Sequence, residues 1–265
     1  RIVGVSDGYL RQLSLDGLGP NPAIGSAGRR SYTLGQVNEL RSYLSSARPR
    51  EALQFSPGRR NGEKLQIITV ANFKGGSAKT TTALYLTQFL ALQGFKVLAI
   101  DLDPQASLSA MFGYQPEFDI PENATLYGAI RYDDQRRPMQ EVVRETYFEG
   151  VGLVPGNLEL MEFEHHTPRA MLDRGVRGHE LFFRRVAGAI DQVADQFDVV
   201  VIDCPPQLGY LTMGALNAAT AMLVTIHPQM VDVASMSQFL LMTSDLMAII
   251  ENAGGRLDYD FIRYV

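Results

Sequence analysis

Between Gln66 and Thr82 an apolar, β-branched run, Gln66-Ile67-Ile68-Thr69-Val70-Ala71-Asn72, empties into Phe73-Lys74-Gly75-Gly76-Ser77-Ala78-Lys79-Thr80-Thr81-Thr82. A strand, a glycine turn and a helix start, in that order, commit the chain to a βα unit whose turn can hold an anion. The first N–H groups of a helix have no intrahelical acceptor, and the helix dipole favours negative charge beside them. Gly75 and Gly76 allow the backbone to come close to such an anion. Lys79 is placed to neutralise phosphate oxygens, and the Thr80 hydroxyl to face Mg²⁺.

The rest of the chain agrees with this unit. From residue 66 onward, short β-branched runs at 66–72, 96–100, 151–154, 199–202 and 222–226 alternate with helical patterns such as 80–93 and 180–196. Alternation of this kind implies an α/β fold: a mostly parallel sheet of five or more strands with flanking helices. The runs are nearly all apolar, as strands buried on both faces should be. Gly94 reads as a helix C-cap.

Residues 1–64 show no such alternation. Ser6 can cap a short helix reaching about Leu13, residues 16–22 form a long turn, and Thr33-Leu34-Gly35-Gln36 has capping-box spacing. The helix it opens would turn Leu34, Val37, Leu40 and Leu44 inward. Residues 48–63 carry two prolines, two glycines and several arginines, the composition of a linker. The expected division is a small module over 1–47, a linker over 48–63 and the α/β domain over 64–265. The opening Arg1 and the unfinished strand at 260–265 suggest a fragment truncated at both ends.

Two more strand ends carry acids. Val97-Leu98-Ala99-Ile100 runs into Asp101-Leu102-Asp103-Pro104-Gln105, and Val199-Val200-Val201-Ile202 runs into Asp203-Cys204-Pro205-Pro206. In an open parallel sheet ligands sit beyond the carboxyl ends of the strands, so these carboxylates share a rim with the glycine turn. An aspartate ending such a strand can hold Mg²⁺ through its water shell.

The segment Lys74-Gly75-Gly76-Ser77-Ala78-Lys79-Thr80-Thr81 resembles the deviant Walker motif K-G-G-x-x-K-T-T of the ParA/MinD family of P-loop ATPases. Ala78 departs from the glycine usual before the second lysine; if the position demands φ > 0, it costs roughly 1 kcal/mol. Further stretches, 113–119, 125–134 and 154–164, look like the partition ATPases of repABC-type replicons. The resemblance implies binding of ATP or ADP with Mg²⁺ by Gly75, Gly76, Ser77, Ala78, Lys79, Thr80 and Thr81, with Thr80, Asp101 and Asp203 at the metal. Lys74 would reach the nucleotide of a partner subunit in an ATP-bound homodimer. Asp103 would position or polarise the attacking water, the alternative being a structural cap. Asp101 would support either the Mg²⁺ shell or the loop. Hydrolysis would be weak until stimulated by a ParB/RepB-type centromere-binding protein.

The front module looks like the second half of a winged helix-turn-helix. Its short helix would present Ser6, Tyr9, Arg11 and Gln12 to the major groove, and Arg29 and Arg30 would form a wing against phosphates. Charge agrees: residues 1–64 hold ten Lys/Arg against five Asp/Glu, the remainder fourteen against twenty-four. A basic segment joined to an acidic domain suits a polyanion. The resemblance therefore implies plasmid segregation, double-stranded DNA bound at an operator and non-specifically, and repression of its own operon.

Two relatives of different habit compete with this expectation: a nucleotide-responsive repressor with little hydrolysis, and a MinD-like ATPase that cycles on a membrane. The nitrogenase iron-protein branch needs several thiolates, and the chain has one cysteine, Cys204. Adjacent His165 and His166 point apart and lack a third ligand. No apolar run nears the roughly 20 residues of a membrane span, and no leader pattern opens the chain. The expected location is cytoplasmic and nucleoid-associated, with no membrane partner. His227-Pro228-Gln229 resembles the family's loop near the nucleotide, with no catalytic role given to the histidine.

Overall fold

The computed structural model describes residues 2–172, 181–226, 230–255 and 257–265, with side chains of 230–235 left aside. The chain opens with α1 (Asp7–Leu15), a two-stranded antiparallel hairpin β1 (Ala23–Ile24) and β2 (Arg30–Ser31), then α2 (Leu34–Ala47) and a short α3 (Ala52–Phe55). The α/β part follows as β3 (Gln66–Ala71), α4 (Lys79–Gln93), β4 (Val97–Asp101), α5 (Ser107–Met111), α6 (Pro116–Asp119), α7 (Leu126–Ile130) and α8 (Met139–Val142). It continues through β5 (Arg144–Glu145), β6 (Val151–Val154), α9 (Leu160–Leu172), α10 (Arg184–Asp191), β7 (Val199–Asp203), α11 (Tyr210–Ala218), β8 (Ala221–Val224), α12 (Met230–Asn252) and β9 (Phe261–Tyr264).

The larger sheet runs β5-β6-β4-β7-β3-β8-β9, parallel throughout except for the antiparallel β5–β6 pair. Seven strands replace the five clear runs of the sequence. β5 is two residues long and carries no apolar pattern; β9 is the 260–265 run, paired with β8. Along the central strands alternate residues face opposite sides. Val97, Ala99, Val199 and Val201 pack with Ala83 and Ala91 of α4 and Leu108 of α5. Leu98, Ile100, Val200 and Ile202 pack with α7, α9, α10 and α11 through Leu126, Phe163, Val186 and Leu211. Two buried faces explain why these strands read as continuous apolar runs.

Local signals place the helix ends. Gly94, at φ 102°, closes α4 as a left-handed cap. Ser6 accepts from the Tyr9 N–H, and α1 runs on to Leu15. Thr33 and Gln36 form the reciprocal capping box of α2. The helix expected over 180–196 is shorter: α10 runs from Arg184 to Asp191, and a 3₁₀ turn at Ala194–Gln196 follows, while Val186, Ile190 and Val193 are buried and Leu181 is half-buried. Residue 180 lies outside the described residues, as do His227-Pro228-Gln229.

A separate small cluster joins Val3, Leu13, Leu40, Leu44 and Phe55. Phe55 is 2% exposed, so the stretch expected as a linker begins with a folded turn that completes this cluster. Arginines and prolines hid a single apolar anchor in that stretch.

Candidate functional site

β4, β7 and β3 present their carboxyl ends side by side, with Asp101 in register with Asp203 and Asp203 with Val70. β3 leads into a loop that Asn72 orders from both ends. Its Nδ2 donates to the Thr225 carbonyl at 2.6 Å, beyond β8, and its Oδ1 accepts from the Lys74 N–H at 3.0 Å. Gly76 stands at φ 73° and Ala78 at φ 63°, ψ 23°. The position before Lys79 does demand a left-handed backbone, and an alanine there costs about 1 kcal/mol. No side chain caps the start of α4, so its first N–H groups remain open to an anion.

Lys79 is buried, and its Nζ donates to the Lys74 carbonyl at 3.0 Å. Burial lowers its pKa, while the charges of Asp203 and Asp103 act the other way. Ser77 is buried and accepts from the Thr225 hydroxyl at 3.1 Å. Gly75, Gly76 and Thr81 are exposed, and Lys74 and Thr80 half-buried.

Asp203 is wholly buried, and neither carboxylate oxygen makes a hydrogen bond of good geometry. Burial, followed by the charge of Asp101, pushes its pKa up to about 8; the neighbouring Thr80 hydroxyl and the Lys79 charge offset this only in part. A buried carboxylate in this condition is costly unless something fills it. Mg²⁺ fits, because it takes oxygen donors and keeps its own waters, and Asp203 and Thr80 supply oxygens beside the open end of α4.

Asp101 is also wholly buried but fully engaged. Ser109 donates to Oδ2 through both its N–H and its hydroxyl, each at 2.7 Å, and the Asp103 N–H reaches Oδ1 at 3.3 Å. Burial outweighs these bonds and pushes its pKa up to about 6. Of the two roles left open for Asp101, this geometry is that of a loop support, and Asp203 is the carboxylate with free oxygens. The half-buried Asp103 sits where the chain leaves β4, its Oδ1 accepting from the Gln105 N–H at 2.9 Å.

Sequence reasoning missed Ser109, Gly156, Asn72 and Thr225. The Gly156 N–H donates to the Ser109 hydroxyl at 3.0 Å, and a Cβ on Gly156 would lie 2.8 Å from the Asp103 carbonyl. Gly156 follows the end of β6 and Thr225 the end of β8. The strand-end rule that found the aspartates would have found both.

The front-module residues divide. Arg11 and Arg29 are exposed; Gln12 is exposed with its Nε2 on Asp16 at 2.7 Å. Tyr9 is not presented outward as expected: it is half-buried against the small cluster, with the Arg48 guanidinium 4.7 Å from its ring centroid. Arg30 donates to the Ser14 hydroxyl at 3.2 Å, tying the hairpin to α1, and Ser6 is used as the helix cap. Apolar burial won at Tyr9 because the module is small and its cluster needs the ring.

Comparison with known proteins follows this geometry. A family model described as an AAA domain, AAA_31, matches residues 65–253. The chain belongs to this ParA-like AAA domain family. A curated relative, "Putative replication protein A" of Rhizobium rhizogenes, is 54% identical over 265 residues, covering 100% of the chain and 65% of the relative. The chromosome partitioning protein ParA of Myxococcus xanthus is 32% identical over 199 residues, 75% of the chain and 65% of that protein. The chain thus spans about 65% of the length of these relatives. Among solved structures, a Mycobacterium smegmatis cobyrinic acid a,c-diamide synthase with bound ATP analogue and magnesium aligns with TM-score 0.61 at 30% identity, over 75% of the chain and 72% of its own. A partition protein aligns with TM-score 0.71 over 99% of the chain and 74% of its own, and at 22% identity shows the shared fold. Among the described residues no helix is long and apolar enough to cross a membrane.

Proposed function

We propose that this chain is the ATPase of a plasmid partition system, binding and slowly hydrolysing ATP with Mg²⁺ as a nucleotide-switched homodimer. The observation that carries the reading is the convergence, on one rim, of an uncapped helix start, the buried Lys79 and the buried, poorly bonded Asp203. An ATP-analogue and magnesium complex in a 30% identical protein of this fold supports it, as does the partitioning relative.

In this reading the open N–H groups of α4 and the Lys79 ammonium hold the phosphate oxygens, and Gly75 and Gly76 give the backbone room to approach. Asp203 and Thr80 would hold Mg²⁺, which when bound would supply positive charge to the phosphate oxygens. Asp103, steadied by Asp101 and Ser109, orients the attacking water. Lys74 of a second copy enters the site when ATP closes the dimer. A site finished only by dimerisation turns over slowly until a centromere-binding partner of ParB/RepB type engages it. The front module binds double-stranded DNA and represses the chain's own operon, with Arg11 and Arg29 as its exposed cations. Non-specific DNA binding by the ATP dimer, in the cytoplasm on the nucleoid, completes the cycle.

The test is the salt-dependent affinity of the chain for its own promoter duplex and for a random duplex, each without nucleotide, with ADP, and with ATP plus Mg²⁺. Promoter preference together with an ATP-specific gain on random DNA is the expected result. DNA binding indifferent to nucleotide would leave a simple repressor, and no DNA binding in any state would leave a membrane-cycling relative.

A further inference from the structure

Arg41 lies in the middle of α2, yet it is 3% exposed. Its guanidinium is held by three acceptors from three parts of the chain. Nη1 donates to Asn38 Oδ1 at 2.9 Å within α2, and Nη2 donates to the Ile2 carbonyl at 3.3 Å, just ahead of α1, and to the Leu92 carbonyl of α4 at 2.5 Å. Burial lowers its pKa. A buried guanidinium satisfied by carbonyls gives up hydration for one defined arrangement of those partners.

The α4 end of this contact is built for it. Leu92 offers one of the last carbonyls of the helix, where no N–H follows to bond it and the dipole favours a cation. Gly94 does more than tolerate φ 102°: a Cβ there would sit 3.1 Å from Arg41 Cζ and press the guanidinium away from its present position by a few tenths of an ångström. At the other end of α2, Glu149, in the turn before β6, brings its carboxylate against the first turn. A Cβ on Gly35 would lie 2.5 Å from Glu149 Oε1, a placement the positive helix start favours. A cleft of about 830 Å³ lies between α2 and the amino ends of the strands, lined by Asn38, Arg41, Gly94, Lys96 and Asp198 among others. Arg59, in the segment after α3, also reaches this cleft, its N–H donating to Asp198 Oδ1 at 2.7 Å, so the front module meets the α/β domain at discrete points around it.

α4 begins with Lys79 at the phosphate loop and ends under Arg41, a rigid 15-residue rod roughly 22 Å long. We infer that Arg41 is the joint by which occupancy of the phosphate loop is felt in the front module. A shift or twist of α4 at its loop end displaces the Leu92 carbonyl, and Arg41 passes that displacement to α2 and to the Ile2 segment that leads into α1. The inference rests on the nucleotide- and DNA-binding reading above.

The experiment measures a coupling factor: the ratio of dissociation constants for the promoter duplex with and without a non-hydrolysable ATP analogue plus Mg²⁺. It is run on the wild-type chain, Arg41→Lys and Gly94→Ala. Linkage requires DNA to change nucleotide affinity by the same factor, so the reverse titration is an internal check. Hydrogen exchange of residues 2–47 with and without nucleotide reports the joint independently of DNA. The wild type is expected to show a coupling of about fivefold or more and a nucleotide-dependent change of exchange in α1 and α2. Both variants are expected to fall to within about twofold of no coupling while binding the analogue as tightly as wild type. Gly94→Ala decides the matter if Arg41→Lys does not fold. Coupling retained in the folded variants overturns the inference, as does a wild type whose promoter binding is independent of nucleotide; an ATP-specific gain on a random duplex in that same protein would leave the functional reading intact. A wild type that binds no nucleotide overturns that reading itself, and the joint with it.

Discussion

Replacing Asp203 by asparagine should make the unliganded protein more stable at pH 8, against the usual cost of altering a buried polar group. The folded-state pKa of Asp203 is raised to about 8 and that of Asp101 to about 6, each from an ordinary value of 3.8. The folded state therefore holds protons that the unfolded chain releases above pH 4. Stability that depends on them is fully present below about pH 4 and is lost as pH rises, first through 6 and then through 8. For Asp203 the four-unit displacement corresponds to a ceiling of roughly 5 kcal/mol at pH 8 and above. That ceiling includes repulsion from Asp101, so the two contributions are not to be added.

The substituted asparagine has the shape of the native aspartate and no charge to desolvate. Thermal melting of the nucleotide-free chain from pH 4 to 8 should show wild type losing stability throughout, while Asp203→Asn loses only the smaller Asp101 contribution, below about pH 6. The two should agree near pH 4 and diverge by several kcal/mol at pH 8, about 10 °C for a chain of this size. Mg²⁺ with a non-hydrolysable ATP analogue should reverse the order, stabilising wild type by mass action and adding little to the variant. A wild-type melting temperature that is flat or rises between pH 5 and 8 without ligand refutes the argument.

Ala78→Gly should relieve left-handed strain of about 1 kcal/mol and raise the melting temperature of the unliganded chain by about 2–4 °C; scanning calorimetry checks it, and no gain would mean that the loop relaxes around the alanine. Ser109→Ala strips a hydroxyl from buried Asp101 and leaves the Gly156 N–H unpaired, at about 1–3 kcal/mol in stability. Single-turnover phosphate release should slow in Ser109→Ala and recover in Ser109→Thr, with nucleotide affinity held in both.

The site was legible where chemistry lay next to a strand end in sequence: Lys79, Thr80, Asp103 and Asp203 each sit within a few residues of an apolar run. Ser109 was not legible, since it meets Asp101 from α5 and no spacing in the chain encodes that meeting; Gly156, which donates to the Ser109 hydroxyl, lies just past the end of β6, where the strand-end rule could have found it. The sheet was legible because burial on both faces writes continuous apolar runs; two-residue β5 is held by its pairing with β6 and leaves no pattern. At the front, capping chemistry fixed both helix starts correctly, whereas Tyr9 was misjudged. An aromatic on a short helix is equally suited to a groove or to a core, and only the position of Arg48 and the small cluster decides.

Strain and poorly compensated buried groups meet at one rim of this molecule. Ala78 and Ala106 hold left-handed backbones in the two loops that leave β3 and β4, Asp203 is buried without a well-bonded partner, and Lys79 is desolvated within reach of its charge. Each is unfavourable for the empty protein, and such features persist only where the surrounding fold enforces them. Lys79 and Asp203 relieve one another only in part, because Lys79 donates to a loop carbonyl and the Asp203 oxygens lack hydrogen bonds of good geometry. One ligand pair would relieve the charged groups together: an anion on the open start of α4 would take up the Lys79 charge, and a hydrated cation bound to that anion would occupy the Asp203 oxygens. Either ion alone would leave the other group uncompensated, so the fold itself favours a metal–phosphate complex over free phosphate or free metal. Titrations with ATP analogue alone, Mg²⁺ alone and the two together should therefore be strongly non-additive, and additive stabilisation would separate Asp203 from the phosphate site.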